Sequence, residues 1–86
     1  MYYTYVLRSK KNSQWYTGFT GDLRKRFKEH NSRNVFYTKS RGPYELIYYE
    51  ACLNEQDSRV REKYLKTGMG KRFIKNRLKH FLSLTG

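Results

Sequence analysis

Residues 16–31, Tyr16-Thr17-Gly18-Phe19-Thr20-Gly21-Asp22-Leu23-Arg24-Lys25-Arg26-Phe27-Lys28-Glu29-His30-Asn31 (YTGFTGDLRKRFKEHN), change character at Gly21-Asp22. Before that point, aromatic and β-branched residues alternate with small ones, the pattern of a strand. After it, Asp22 can cap a helix that runs to about His30, with Asn31 as its C-cap. Leu23, Arg26, Phe27 and His30 follow the i, i+3, i+4, i+7 spacing and share one helix face. Arg24, Lys25 and Lys28 fall outside that stripe and read as a solvated basic face, with Glu29 on the exposed side. Arg26 and His30 therefore turn toward whatever Leu23 and Phe27 pack on. Burying a guanidinium beside a phenyl ring is costly unless a carboxylate or an anion meets it.

Working outward, Tyr2–Leu7 (YYTYVL) reads as a strand and Arg8–Gln14 (RSKKNSQ) as a turn, so that residues 2–19 form a β-hairpin. Alternation puts Tyr3, Tyr5 and Leu7 on one face of the first strand. In the second, Trp15–Phe19, Tyr16 and Gly18 share a face opposite Trp15, Thr17 and Phe19. Residues 32–43 form a basic, serine-rich loop ending in the only proline, and Tyr44–Glu50 (YELIYYE) is a third strand. Asn54 caps a second helix, with Glu55 and Asp57 in its first turn to meet the helix dipole. Gly68 and Gly70 then interrupt the pattern. From Lys71 a single third helix is expected, with Phe73, Ile74, Arg77, Leu78, Phe81 and Leu82 as its stripe. The order β-β-α-β-α-α implies an α+β fold, a small three-stranded antiparallel sheet flanked by helices.

The chain has 86 residues, enough for one domain over residues 1–86, and its nine tyrosines and five phenylalanines can fill a small core. Nineteen Lys+Arg against seven Asp+Glu leave a net charge of +12, which points to a polyanionic partner. Nucleic acid fits better than an anionic membrane surface, because the aromatics lie in alternating segments rather than along one basic amphipathic helix. Cys52 is the only cysteine, which excludes an internal disulfide and a Cys-based zinc cluster. With no signal-peptide core and no spanning run, the chain reads as cytoplasmic.

Tyr3-Thr4-Tyr5, ten connecting residues and then Tyr16-Thr17-Gly18 resemble the paired signature of the GIY-YIG nuclease family. The helix carrying Arg26, His30 and Asn31 follows at the family's spacing. Arg61-Glu62-Lys63 within DSRVREKYLKTG resembles the later helix that carries a single metal-binding glutamate. The resemblance covers about residues 2–76 and is to the small stand-alone branch, similar to the N-terminal nuclease domain of excinuclease C. Tyr3 stands where the family name has glycine, and Thr17 where it has isoleucine. Asn76 stands for the family's late asparagine, and Lys39, nine residues beyond His30, falls where some members place a further polar site residue.

The resemblance implies a divalent-metal-dependent DNA endonuclease, with a role in DNA repair or recombination. One Mg²⁺ or Mn²⁺ on Glu62 would polarise the phosphate, Arg26 would clamp its oxygens, and Tyr5 or Tyr16, its pKa lowered by nearby positive charge, would take the water's proton with His30 assisting. Glu62 has a second reading, an i, i+4 ion pair with Lys66. Arg24, Lys25, Lys28, Lys39 and Arg41 are the expected nucleic-acid contacts. DNA is the expected substrate, with its preferred structure (branched, nicked or flapped) and RNA left open, and the chain is expected as a monomer or weak oligomer, with either weak specificity or a protein partner. A non-catalytic basic module holding DNA or RNA is the alternative, and it has no need of the constellation Tyr5, Tyr16, Arg26, His30 and Glu62.

Overall fold

The computed structural model describes residues 1–32 and 41–85. Strand β1 (Tyr2–Ser9) lies between β2 (Trp15–Thr20) and β3 (Tyr44–Cys52) in one antiparallel sheet of order β2-β1-β3. Helix α1 (Leu23–Asn31) precedes β3, and α2 (Glu55–Leu65), α3 (Gly68–Arg77) and the short α4 (Lys79–Thr85) follow it. The α+β expectation holds, with one helix more than expected. Among the described residues, no helix is long and apolar enough to cross a membrane.

Strand β1 is central because it can be covered on both faces. Every residue from Thr4 to Ser9 is buried, while β2 and β3, the sheet edges, are only partly so. On one face Tyr5, Leu7 and Tyr44 form a core with Tyr16, Leu46 and the α1 residues Leu23 and Phe27. On the other, Val6 packs with Leu65 of α2 and Ile74 of α3, edged by Trp15, Ile47 and Phe73. Each face thus receives the alternate residues that the strand period assigns to it. A register shift between Val6 and Leu7 in the β1–β3 pairing passes Tyr48 and Leu46 to opposite faces.

Among the described residues, no buried side-chain polar atom of β1 lacks a partner. The Thr4 hydroxyl donates to the Ser58 carbonyl at 2.8 Å and lies 3.0 Å from the Ser58 hydroxyl, which ties α2 to the sheet. Arg8 pairs with Glu45 at 2.9 Å, donates to the Thr85 hydroxyl at 3.0 Å and stacks over Phe81, which holds α4 against the end of the sheet.

Three local expectations are corrected. Asn31 is the last residue of α1 and Ser32 caps it. The Asn31 amide instead accepts from the Tyr44 N–H at 2.7 Å and donates to the Tyr44 carbonyl at 3.1 Å, pinning the start of β3 as a strand neighbour would. The glycines do not interrupt the third helix. It begins at Gly68, capped by Thr67, whose hydroxyl accepts from the Gly70 N–H at 3.1 Å. A Cβ at Gly70 would run into the Tyr64 carbonyl and the Leu65 backbone, so this glycine lets α3 close against α2. Finally, the stripe from Phe73 to Leu82 is split at Leu78, where φ −108° and ψ 21° end α3 before α4 begins. Leu78 reaches the Val6 core, while Arg77 is exposed.

Candidate active site

The site grows from the β1–β2 hairpin and the sheet-facing stripe of α1. In the hairpin register Tyr5 lies opposite Gly18. A Cβ at Gly18 would collide with the Tyr5 ring and hydroxyl, so the glycine makes the space in which the phenol lies across β2. Tyr16, two residues earlier on the same face, brings its ring to 6.5 Å from that of Tyr5. His30, one helical turn beyond Arg26, closes the group from above. Its Nε2 lies 2.9 Å from the Tyr5 hydroxyl, and its ring lies 4.9 Å from that of Tyr16 and 6.3 Å from that of Tyr44.

Arg26 sits at the edge of this group, its side chain 36% exposed and paired with Glu29 at 3.2 Å. Glu29, expected on the open side of α1, is thus turned toward the site, and its i, i+3 relation to Arg26 is the signal that foretells the pair. Desolvation works against the guanidinium's charge, but Tyr5 and Glu29 outweigh it and hold Arg26 above its ordinary value.

Burial decides the protonation of the two innermost groups. It pushes the Tyr5 phenol up to about 12, with Arg26 pulling the other way and the Tyr16 and Glu62 charges adding to the rise. The lowering expected from nearby positive charge is not found at Tyr5, because the ring is only 1% exposed. Burial, and next the Arg26 charge, push His30 down to about 4. Near neutral pH Tyr5 is therefore a phenol and His30 a neutral imidazole. Arg26 can only donate, so the phenol's own proton is left for His30 Nε2.

A neutral buried histidine has a thermodynamic signature. Between pH 6.5 and 4 the unfolded chain takes up a proton that folded His30 refuses, so this group's contribution to stability is present above pH 6.5 and lost as pH falls. Urea unfolding at pH 7.5 and 4.5 should show wild type losing about 2–3 kcal/mol more than His30→Gln. Equal losses would mean that His30 titrates normally in the fold.

Glu62 lies on α2, and its charge reaches Tyr5 across the sheet. Its carboxylate pairs with Lys66 at 2.9 Å, with side-chain exposures of 20% for Glu62 and 55% for Lys66. The ion-pair reading of this glutamate is the one realised here. Among the described residues, no group of three or more His, Cys, Asp or Glu could hold a metal. A single recessed carboxylate fits a small hard cation that keeps most of its waters, the habit of Mg²⁺.

Two hollows flank the site. One, of about 420 Å³, is lined by Phe19, Thr20, Gly21, Asp22, Lys25, Arg26 and Glu29. The other, of about 510 Å³, is lined by Trp15, Tyr16, Thr17, Lys66 and Lys71, and the sequence pattern marks neither lysine as a nucleic-acid contact. Arg24, Lys25, Lys28 and Arg41 are exposed or at the surface, and the Arg41 carbonyl accepts from the Ser9 hydroxyl at 2.6 Å. Lys39 lies outside the described residues. Asn76 is not among the residues lining the hollows beside Tyr16 and Arg26. It faces a hollow with Tyr64, Met69, Arg72 and Phe73. The unusual Tyr3 lies at the sheet corner against Tyr49, and Thr17 is paired with Val6 on the face away from Tyr5. Neither removes a polar group from the constellation.

Comparison with known proteins agrees with this architecture. The model of the GIY-YIG catalytic domain matches residues 1–79. A UPF0213 protein of Clostridium perfringens is 43% identical over 67 residues, 77% of this chain and 71% of that one. The UPF0213 protein YazA of Bacillus subtilis is 42% identical over 66 residues, 76% of this chain and 66% of that one. The solution structure of the UPF0213 protein BH0048 from Bacillus halodurans is similar over 100% of this chain and 87% of that one, at 31% identity and a TM-score of 0.51. The chain belongs to the GIY-YIG catalytic-domain family of nucleases, alongside the small UPF0213 proteins.

Proposed function

We propose that this chain is a divalent-metal-dependent endonuclease that hydrolyses DNA phosphodiester bonds in the cytoplasm, in the service of repair or recombination. The observation that carries the reading is the convergence on one buried phenol. Tyr5 is hydrogen-bonded to His30 at 2.9 Å, its ring lies 6.5 Å from that of Tyr16, and the Arg26 guanidinium stands beside it. A module that only holds nucleic acid has no use for so expensive a cluster, since its affinity comes from exposed cations.

The roles follow from exposure and protonation. Tyr5 keeps its proton at neutral pH and acts by fixing His30 and Arg26. Tyr16 is half-buried and borders the hollow with the lysines, so it is the tyrosine that meets the attacking water and, once its own phenolic proton has passed to solvent through that hollow, takes the water's proton as phenolate. Arg26 clamps the non-bridging phosphate oxygens, where a forked donor adds both charge and geometry. Glu62 would hold Mg²⁺ or Mn²⁺, which supplies charge stabilisation at the phosphate and the departing 3′ oxygen. Lys25 beside Arg26, with Arg24 and Lys28 on the outer face of α1, would follow the flanking backbone.

Departure of the 3′ oxygen leaves a 3′-hydroxyl and a 5′-phosphate, so nicked plasmid made by the protein should be resealed by DNA ligase without end repair. Nicks that need end repair first would reject this leaving group. DNA binding itself should be steeply salt-dependent. If about four to six phosphates are neutralised, log K should fall against log salt with a slope of about −4 to −5, measured by fluorescence anisotropy. A slope near zero would mean that the +12 charge serves another purpose.

A further inference from the structure

We propose that Lys66 gates Glu62. Its ammonium holds the carboxylate until a nucleic-acid phosphate entering the hollow beside Tyr16 draws it away, so that nucleic acid and divalent cation bind cooperatively. The inference rests on the reading of Glu62 as the metal ligand and goes beyond it by assigning the hollow and its lysine.

Three observations meet here. Glu62 is recessed, with 20% of its side chain exposed, and Lys66 is its only ion-pair partner among the described residues, at 2.9 Å. Lys66 itself is 55% exposed and lines the hollow with Trp15, Tyr16, Thr17 and Lys71. One cation therefore touches both the ligand carboxylate and the space beside the proposed base. Lys66 is also the C-cap residue of α2, at the end of the helix.

The exchange follows from the chemistry of the groups. A lysine ammonium is a compact charge on a flexible stem, and an i, i+4 pair this exposed is weak enough to trade for another anion. While Lys66 stays on Glu62, an approaching divalent cation meets a positive charge at the carboxylate that would hold it. A phosphate held by Lys66 and Lys71 removes that charge from the carboxylate and adds its own negative field. Linkage makes the effect reciprocal, so the cation must tighten nucleic-acid binding by the factor with which nucleic acid tightens the cation.

The test is Mn²⁺ binding to the full chain, followed by electron paramagnetic resonance, in an Arg26→Ala background that slows cleavage of added duplex DNA, with spectra taken before turnover. Without DNA, Lys66→Met should bind Mn²⁺ about three- to tenfold tighter than its parent, the scale left to one exposed unit charge beside a divalent ion after screening by water and salt. Lys66→Arg, which keeps the charge, should match the parent. Saturating DNA should tighten Mn²⁺ binding to the parent and do so less in Lys66→Met. Equal Mn²⁺ affinity in Lys66→Met and the parent without DNA would overturn the gate. Glu62→Gln in the same titration separates the two ideas. If it keeps the parent's Mn²⁺ affinity, the ligand reading itself fails. If it loses Mn²⁺ while Lys66→Met is unchanged, only the gate fails.

Discussion

Glu62→Gln should lower Mg²⁺-dependent plasmid nicking by on the order of 10³ or more, while the chain stays folded and binds DNA at least as tightly as wild type. The rate falls because glutamine keeps the size of the side chain but offers a hard cation a neutral amide oxygen, and several kcal/mol of charge stabilisation at the phosphate depends on that cation. The fold survives because what the substitution removes from it is one i, i+4 pair with Lys66, worth about 0.2–0.5 kcal/mol. DNA binding does not suffer because one negative charge has left a strongly basic surface. Nicking at the wild-type rate under limiting Mg²⁺ would show that Glu62 is not the ligand and that its pair with Lys66 is its whole role.

Arg26→Ala should separate catalysis from binding in a second way. Its guanidinium stands at the rim of the site, held between Glu29 and the Tyr5 phenol and still partly open to a phosphate. Removing one preorganised donor from developing oxyanion charge costs on the order of 10² or more in rate. Affinity should change little, because Arg24, Lys25, Lys28 and the other basic residues share the attraction to the backbone. Single-turnover cleavage and equilibrium binding on the same duplex give both numbers. Equal losses in rate and affinity would make Arg26 an ordinary phosphate contact.

Much of this site is legible in local spacing. The two-residue period puts Tyr5 with Gly18 and Tyr16, and the helix period puts Arg26 and His30 with Leu23 and Phe27, so their convergence needs only a hairpin and a helix folded back on it. What spacing does not carry is the neighbour of β3. That partner is fixed by the Asn31 amide gripping Tyr44 and by burial of β1 on both faces, and both require the third dimension. Gly68 and Gly70 read as breakers because glycine usually weakens a helix, yet the close approach of α3 to the α2 backbone demands Gly70. The expected acidity of Tyr5 failed for a related reason. The nearby arginine was visible in the sequence, but the depth of burial that outweighs it was not. Lys66 and Lys71 do not stand out as phosphate contacts because charged residues around a helix end have no periodic signature. Only the fold brings them beside Tyr16.

The most direct test of the central claim is the conversion of supercoiled plasmid by the purified wild-type chain in Mg²⁺ or Mn²⁺, followed beside an EDTA control. If Tyr5, Tyr16, Arg26, His30 and Glu62 form a phosphodiesterase site, nicked circles accumulate with either cation and vanish with the chelator. Tight, salt-sensitive binding with no nicking in either metal, or nicking that proceeds unchanged in EDTA, would contradict the account.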